Sequence, residues 1–336
     1  MLAPALTQPV ETASPRQIIT APSIRAPDVA LRVAVVIPCH NEAQTIASVV
    51  TGFRDALSDA VIYVFDNNST DGTAREAAKA GARVFRETRQ GKGNVVRRMF
   101  ADIEADIYVM ADGDGTYDPK DAPSLVSALI TERCDMVVGT RRNVRNDAGR
   151  AGHAFGNRLF NRIYRTLFGN DFSDIFSGYR VFSRRFVKSF PAISAGFEIE
   201  TEMSVHASQL MMPVLEMELD YGKRPEGSHS KLNSVRDGWR ILMMIVNLVK
   251  ETRPLMFYGN IALAFFCLAT GLMLPVLATW VETGLVPRFP TAIVSTGTMV
   301  ISFLLGATGL ILDSLSRSRR EQKRILYLAT PGLGER

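Results

Sequence analysis

YVMADGDGTYDP, at residues 108–119, is the stretch that decides the fold of this chain. It begins with an apolar run typical of a buried strand, and two carboxylates one residue apart, Asp112 and Asp114, follow at once. The neighbouring glycines end the strand, so the loop can bend both carboxylates around one point. Such a pair at the carboxyl end of a strand is well placed to hold a hard divalent cation, which prefers oxygen ligands. The alternative for this stretch alone is a solvated Asp-Gly turn.

Segments with strand and helix patterns alternate on both sides of this stretch. The first strand, LRVAVVIP at residues 31–38, is a continuous apolar run, typical of a strand buried on both faces of a parallel sheet. The alternation predicts right-handed crossovers and a mostly parallel α/β sheet. Further strands are predicted at 61–65, 82–86, 106–111, 136–139 and 214–221, and helices at 45–57, from 73, at 91–105 and at 121–131.

Clusters of polar side chains follow several of the predicted strands. In open sheets of this kind, ligands bind outside the carboxyl ends of the strands. The polar residues are therefore predicted to converge on one crevice, although they are far apart in sequence. They are Glu42, Asp66, Asp71, Lys92, Asp112, Asp114 and Arg141.

The composition argues against several classes of protein. Residues 1–30 are rich in Pro, Ala, Thr and Ser and contain no apolar block, which excludes a secretory signal peptide and predicts a mobile tail. Cys39, Cys134 and Cys267 lie far apart with no CxxC spacing, so neither a disulfide framework nor a zinc site is expected and a reducing compartment is indicated. Hydrophobic residues make up 46% of the chain, and the excess is concentrated near the C-terminus.

Two segments near the C-terminus are long enough to cross a membrane. Residues 255–281 run for 27 residues without a charge and residues 289–312 for 24, whereas a bilayer core needs about 20 apolar residues. Buried core helices are the alternative at these lengths. Basic residues precede and follow the pair, but the link at 282–288 holds a single Arg. The positive-inside rule therefore places both ends, and the α/β domain, in the cytoplasm.

These patterns predict five parts of the chain. Residues 1–30 form a disordered tail, 31–233 the α/β domain, 234–254 a juxtamembrane amphipathic helix, 255–313 two transmembrane helices and 314–336 a basic cytoplasmic tail. The amphipathic helix is expected either to lie in the membrane interface or to pack on the α/β domain. The expected location is the cytoplasmic membrane, with two spans.

Four short motifs occur in order along the chain, VVIPCHNE at 35–42, FDNNSTDG at 65–72, GKGN at 91–94 and DGD at 112–114. This series resembles the motifs of inverting family 2 glycosyltransferases with the GT-A fold. Four later motifs follow, GTR at 139–141, FSG at 176–178, GF at 196–197 and GSHSK at 227–231. Together with the predicted membrane hairpin, they are similar to those of the polyprenyl-phosphate glycosyltransferases of the dolichol-phosphate mannose synthase type. The resemblance covers roughly residues 32 to 315, and the order and spacing of the motifs carry it.

The resemblance implies a GT-A fold and assigns roles to individual residues. It makes Asp112 and Asp114 the DxD pair that holds Mg²⁺ or Mn²⁺, with Asp114 the more direct ligand. The residues that it places around the nucleotide sugar are Pro38, Glu42, Asp66, Asn68, Lys92 and Asp112. Two positions depart from the family pattern, because Asn67 follows Asp66 where a second Asp is usual, and Thr116 stands where Gln is often found. Asp118 or water is then expected to take the place of a third ligand.

The chemistry of a lipid-phosphate acceptor agrees with this assignment. A lipid monophosphate is largely ionised at neutral pH and is itself the nucleophile, so no strong general base is needed. The site needs cationic groups that hold this phosphate against an anionic donor. The candidates are Arg141, Arg150, Arg224 and Lys231, together with Ser177. Arg224 is also a candidate catalytic residue, on a loop expected to close over both substrates. A solvated surface charge is the alternative for each arginine.

The favoured hypothesis is an enzyme that transfers one sugar, with inversion, from a GDP- or UDP-hexose to undecaprenyl or dolichyl phosphate at the cytoplasmic face. No nucleic-acid partner is expected, and a homo-oligomer is left open. One alternative is a transferase of the same fold acting on a sugar hydroxyl, although the QxxRW motif of processive synthases does not occur. The others are a non-catalytic membrane-bound sensor and a sugar-nucleotide pyrophosphorylase, whose phosphate loop after the first strand is absent.

Overall fold

The computed structural model describes residues 31–141, 164, 172–196, 198–220, 222, 243 and 246–333. Its strands are β1 (Val33–Cys39), β2 (Val61–Asp66), β3 (Arg83–Arg86), β4 (Ile107–Met110), β5 (Met136–Arg141), β6 (Arg180–Ser183) and β7 (Val214–Leu219). Its helices are α1 (Ile46–Ala56), α2 (Thr73–Lys79), α3 (Lys92–Asp102), α4 (Ala122–Thr131), α5 (Arg184–Ser189), α6 (Ile199–Gln209), α7 (Pro254–Thr283) and α8 (Phe289–Ala329). A 3₁₀ turn spans Pro119–Asp121, and residues 246–252 are helical.

The strands form one sheet in the order β3-β2-β1-β4-β6-β5-β7. The strands pair in parallel except for β6, which runs antiparallel to both β4 and β5. The mostly parallel sheet predicted from the sequence is therefore confirmed. The sequence pattern did not predict β6, because that strand is four residues long and begins with a charged residue, Arg180. Its insertion separates β4 from β5 and places Arg180 opposite Met110 at the centre of the sheet.

Both faces of the sheet are covered, and β1 shows how. Ala34 and Val36 belong to a hydrophobic cluster formed with α3, α5 and α6, whereas Val35 and Ile37 belong to a second cluster formed with α1 and α4. Because successive side chains of a strand point to opposite faces, a continuous apolar run fills two cores at once. Each fully buried Val or Ile contributes about 1.5–3 kcal/mol. This burial fixes the sheet and with it the loops at its carboxyl edge.

The two long helices α7 and α8 pack against each other as a hairpin through small residues. The Ser295 hydroxyl donates to the Ala269 carbonyl oxygen at 2.8 Å, and the Ser302 hydroxyl donates to that of Ala262 at 2.7 Å. A Cβ atom on Gly309 would lie 3.2 Å from the Tyr258 Cβ. These contacts recur every seven residues on α8, the spacing that keeps one face of a helix against a partner. Both helices are long and apolar enough to cross a membrane by length and composition.

Candidate active site

The acidic loop after β4 lies against the loop after β1. The Thr45 hydroxyl donates to the Gly113 carbonyl oxygen at 2.7 Å, and a Cβ atom on Gly113 would lie 2.4 Å from Glu42 Oε2. A side chain at position 113 would force the Glu42 carboxyl and the Cys39 thiol to move, so the glycine lets the Glu42 carboxyl lie against the acidic loop. Burial raises the pKa of Glu42 to about 8, and the charges of both aspartates add to the effect. The edge of the sheet therefore concentrates negative charge that a cation would relieve.

Within the described residues, Lys92 brings a positive charge to this acidic edge of the sheet. Its ammonium lies 2.5 Å from Asp112 Oδ1 and 2.6 Å from Glu200 Oε1, and its side chain is 10% exposed. Burial lowers the pKa of Lys92, but the Asp112 and Glu200 carboxylates outweigh it and hold the pKa well above its usual range. Lys92 is thus charged and joins α3, the β4 loop and α6 at one point.

The residues after β4 fit a hard divalent cation. The Thr116 backbone N–H and hydroxyl both donate to Asp114 Oδ1, at 3.1 and 2.6 Å, which orients the carboxylate. Among the described residues, no group of three or more His, Cys, Asp or Glu side chains is placed to hold a metal ion. Two carboxylates with the remaining ligands from phosphates and water are a usual shell for Mg²⁺. Asp118, expected as a substitute ligand, instead accepts from the Lys120 N–H at 3.0 Å and caps the 3₁₀ turn.

The FSG motif forms a wall behind Asp112. A Cβ atom on Gly178 would lie 2.6 Å from Asp112 Oδ2, and the Gly178 N–H donates to the Tyr117 hydroxyl at 2.9 Å. Ser177 is fully buried, and its hydroxyl donates to the Gly139 carbonyl oxygen at 2.5 Å. In this arrangement Ser177 supports the wall and does not present its hydroxyl to the crevice.

Arg141 lies at the end of β5 in a bidentate ion pair. Its Nε and Nη2 donate to the two carboxylate oxygens of Asp174 at 2.7 and 2.8 Å. Burial raises the pKa of Asp174, but the contacts with the Arg141 guanidinium outweigh burial and hold this pKa below its usual range. The Arg141 guanidinium is therefore fixed in orientation, with part of its charge compensated.

The predicted nucleotide side of the crevice follows β2. Pro38 is buried at the end of β1, and Asp66 is 5% exposed and accepts from the Ser69 N–H at 3.3 Å. Asn67 is buried, its amide donates to the Glu87 and Arg89 carbonyl oxygens at 3.0 and 2.8 Å, and its side-chain oxygen accepts from the Gly91 N–H at 2.7 Å. An aspartate could not make the two donations, which explains the departure from Asp-Asp.

Asn68 supports the same loop from its surface. Its side-chain amide donates to the Thr88 carbonyl oxygen at 2.8 Å, and its backbone is left-handed, with φ of 61°. This contact ties β2 to the segment leading into α3, so it contributes to the position of Lys92.

Sequence patterns did not distinguish two buried residues of this region. Glu200 is one of two glutamates at the start of α6 for which the sequence leaves open a helix-surface charge or a functional role, and it is the partner of Lys92. Arg180 is fully buried, and its guanidinium donates to the Ile175 and Ser177 carbonyl oxygens, both at 2.8 Å. Arg180 thereby shapes the loop that brings Gly178 against Asp112. Its place on a strand flanked by apolar residues was the available signal.

Other predicted site residues lie outside the described residues. They are Arg150, Arg224 and Lys231. Their roles remain predictions, as do the expected amphipathic helix through most of 234–254 and the tail at 1–30.

An α/β sheet with adjacent carboxylates and a buried lysine at its carboxyl edge is suited to a phosphorylated, metal-bound substrate. The chain belongs to glycosyl transferase family 2, whose model matches residues 34–190. It is 36% identical over 296 residues to the glycosyltransferase AglJ of Haloferax volcanii, covering 87% of this chain and 97% of that protein. The chain is therefore a glycosyltransferase, as the motifs predicted.

Further relatives and solved structures are consistent with this family. The low-salt glycan biosynthesis hexosyltransferase Agl6 of Haloferax volcanii is 32% identical, over 66% of this chain and 54% of its own length. The undecaprenyl-phosphate mannosyltransferase of Micrococcus luteus is 27% identical, over 59% and 86%. The structure of glucosyl-3-phosphoglycerate synthase from Mycobacterium tuberculosis with Mn²⁺, UDP and its product matches at a TM-score of 0.54 and 24% identity, over 66% of this chain and 79% of that one. That likeness establishes the GT-A fold.

Proposed function

We propose that this enzyme transfers a single sugar, with inversion, from a nucleotide donor to a polyprenyl phosphate at the cytoplasmic face of a membrane. The observation that carries the proposal is the cluster of Asp112, Asp114 and Lys92 at the carboxyl edge of the sheet, in a chain that also has two helices of bilayer length. The name of the undecaprenyl-phosphate mannosyltransferase relative supports a lipid phosphate as acceptor.

The donor is a GDP- or UDP-hexose whose diphosphate lies at the acidic loop. Asp112 and Asp114 would hold Mg²⁺ or Mn²⁺. The ion would neutralise the negative charge that develops on the leaving diphosphate. Lys92 provides a second positive charge next to the same phosphates. Glu42 and Asp66 line the nucleoside side, and the Asn67 contacts hold the loop that leads to Lys92.

The acceptor phosphate is the nucleophile, so no residue has to act as a strong general base. Arg141, Arg150, Arg224 and Lys231 are the proposed cationic groups that hold it. For Arg141, the pairing with Asp174 presets the guanidinium plane before the phosphate arrives. The basic residues around α7 and α8 support placing the active site on the cytoplasmic side, because the 282–288 link contains a single Arg.

The test is a transfer assay with the purified full chain. Labelled GDP- and UDP-sugars are incubated with Mg²⁺ or Mn²⁺ and with undecaprenyl or dolichyl phosphate, and label is measured in the lipid phase. Asp114→Asn should abolish transfer, because it removes a proposed metal ligand. Asp118→Asn is the matched control, since Asp118 is exposed, lies on the same loop and caps a turn that Asn also caps.

Two outcomes would contradict the proposal. One is the absence of lipid-bound label with every donor. The other is label in an extended glycolipid or a long polymer, which would identify a sugar hydroxyl as the acceptor. Retained activity of Asp114→Asn at the level of Asp118→Asn would overturn the metal assignment.

A further inference from the structure

Helix α8 continues well beyond its apolar part and ends against the α/β domain. The last residue of the apolar run is Leu312, and Tyr327 follows fifteen residues later on the same helix. At 1.5 Å per residue this distance is roughly 22 Å along the helix axis. Tyr327 is 6% exposed and packs in the cluster formed by α3, α5 and α6. The segment that the sequence pattern assigned to a basic tail is thus helical up to Ala329.

The Tyr327 side chain contacts charged groups of the domain and of its own helix. Its hydroxyl donates to Asp135 Oδ2 at 2.7 Å and accepts from Arg185 Nη1 at 3.2 Å. The guanidinium groups of Arg185 and Arg324 lie over the ring, 4.9 and 4.7 Å from its centroid. Arg324 also donates to the Leu210 carbonyl oxygen at 2.7 Å. We name these four side chains, Tyr327, Asp135, Arg185 and Arg324, the Tyr327 clamp.

The same end of α8 lies close to a loop that is bonded to the residue after Lys92. Burial lowers the pKa of Lys323, and the nearby Glu202 charge opposes this change. The Glu202 carboxylate accepts from the Ile193 and Ser194 N–H groups at 3.0 and 2.8 Å. The next residue of that loop, Ala195, accepts from the Gly93 N–H at 3.0 Å, directly after Lys92. The segment 193–195 is therefore bonded to Glu202 of α6 at one end and to the start of α3 at the other.

We propose that the Tyr327 clamp is a positioning site that fixes the catalytic domain at one height and orientation above the membrane, so that the crevice meets the phosphate of an embedded lipid. The inference rests on the proposed function. A helix that spans the bilayer at one end and is clamped to the domain at the other couples the domain to the hairpin, so the domain cannot tilt independently of it. A mobile lipid phosphate is then presented to a crevice whose position is already set.

The test compares Tyr327→Phe, which removes one hydroxyl, and Tyr327→Ala in the full chain in lipid nanodiscs. Tyr63→Phe is the matched control, since it removes a hydroxyl from a half-buried tyrosine of β2 outside the clamp. Trypsin cleavage after Lys323 and Arg324 reports opening of the clamp. We expect roughly tenfold faster cleavage in Tyr327→Phe, because a hydrogen bond to a charged group is lost. The effect of the double variant Tyr327→Phe/Asp135→Asn should be smaller than the sum of the two single effects, although Asp135→Asn also affects the Asp135 contact with Ser183.

Kinetics separate positioning from a general loss of structure. We expect a severalfold higher KM for a long-chain polyprenyl phosphate in the bilayer, with an unchanged KM for the nucleotide sugar and an unchanged rate with a water-soluble short-chain prenyl phosphate. Equal loss with both acceptors, an unchanged KM for the bilayer lipid, or an unchanged cleavage pattern would overturn the proposal. If the wild type transfers no sugar to any lipid phosphate, the proposed function fails, and the cleavage comparison still decides whether the clamp holds the domain.

Discussion

At the scale of single residues, the site depends on side chains that hold backbone as much as on those that face the crevice. Asn67 is the clearest case, because its amide and carbonyl oxygen satisfy three backbone groups of the segment between β3 and α3. That segment ends at Lys92, whose ammonium contacts Asp112. The Asn67 contacts thus help to set the position of Lys92, a proposed donor-binding residue.

Asn67→Asp tests this dependence. A carboxylate cannot donate, so the Glu87 and Arg89 carbonyl oxygens would lose their donor, at a cost of about 1–3 kcal/mol in the free energy of unfolding. We expect a lower thermal midpoint and a higher KM for the donor. Asn68→Asp is the control, since Asn68 is less buried. Equal midpoints for the two variants would show that the Asn67 contacts are not needed.

Gly178→Ala tests the wall behind Asp112, a proposed metal ligand. The added methyl group would lie 2.6 Å from Asp112 Oδ2, so the carboxylate has to move. We expect the Mn²⁺-dependent affinity for GDP or UDP, measured by calorimetry, to fall while the thermal midpoint changes little. Gly259→Ala, where a Cβ atom would meet nothing within 4 Å, should leave the affinity unchanged. Unchanged affinity in Gly178→Ala would place the metal elsewhere.

At the scale of elements, the hairpin of α7 and α8 is held by a row of small side chains. In α8 the buried residues are Ser295, Ser302 and Gly309, with Tyr327 at the far end. In α7 their partners are Ala262 and Ala269, whose carbonyl oxygens accept the serine hydroxyls. Lipid tails are as apolar as large side chains, so the hydrophobic effect does not drive two helices together in a membrane. Close packing holds them instead, and small residues allow the two backbones to approach.

Gly309→Leu should separate the two helices. Its side chain would collide with Tyr258 and with Leu255, and overpacking of this kind costs about 1–3 kcal/mol. Gly306→Leu is a matched control three residues away, where a Cβ atom meets nothing within 4 Å. Thermal unfolding in detergent should show a lower midpoint for Gly309→Leu only. A similar midpoint for both variants would contradict the packing of α7 on α8 through Ser295, Ser302 and Gly309.

At the scale of the whole molecule, the orientation of the hairpin decides where the active site can work. The exposed side chains of α7 and α8 are mostly apolar, and basic residues flank the pair on the side of the α/β domain. The short link between the two helices contains Arg288 as its one basic residue. This asymmetry predicts that the link crosses to the far side of the membrane.

Leu285→Cys tests that orientation in a Cys267→Ser background, because Cys39 and Cys134 are buried. A membrane-impermeant thiol reagent added to intact cells should label Cys at this position from outside. A cysteine placed at Pro331, exposed just beyond α8, should be labelled only after the cells are opened. Labelling of the second position in intact cells would reverse the orientation and remove cytoplasmic nucleotide sugars as donors.

The sequence by itself determined the strand and helix alternation, the acidic loop and the two apolar helices, because each depends on a local pattern of apolar runs, glycines and charges. Tertiary structure alone decided the insertion of β6, the pairing of Lys92 with Glu200 and the clamping of Tyr327 on Asp135. Those contacts join residues 108 and 192 positions apart in sequence, as in Lys92–Glu200 and Asp135–Tyr327. A local sequence pattern cannot identify a partner at such separations. A buried charged or hydroxyl group needs a hydrogen-bond partner, and folding of the whole chain determines which residue lies beside it.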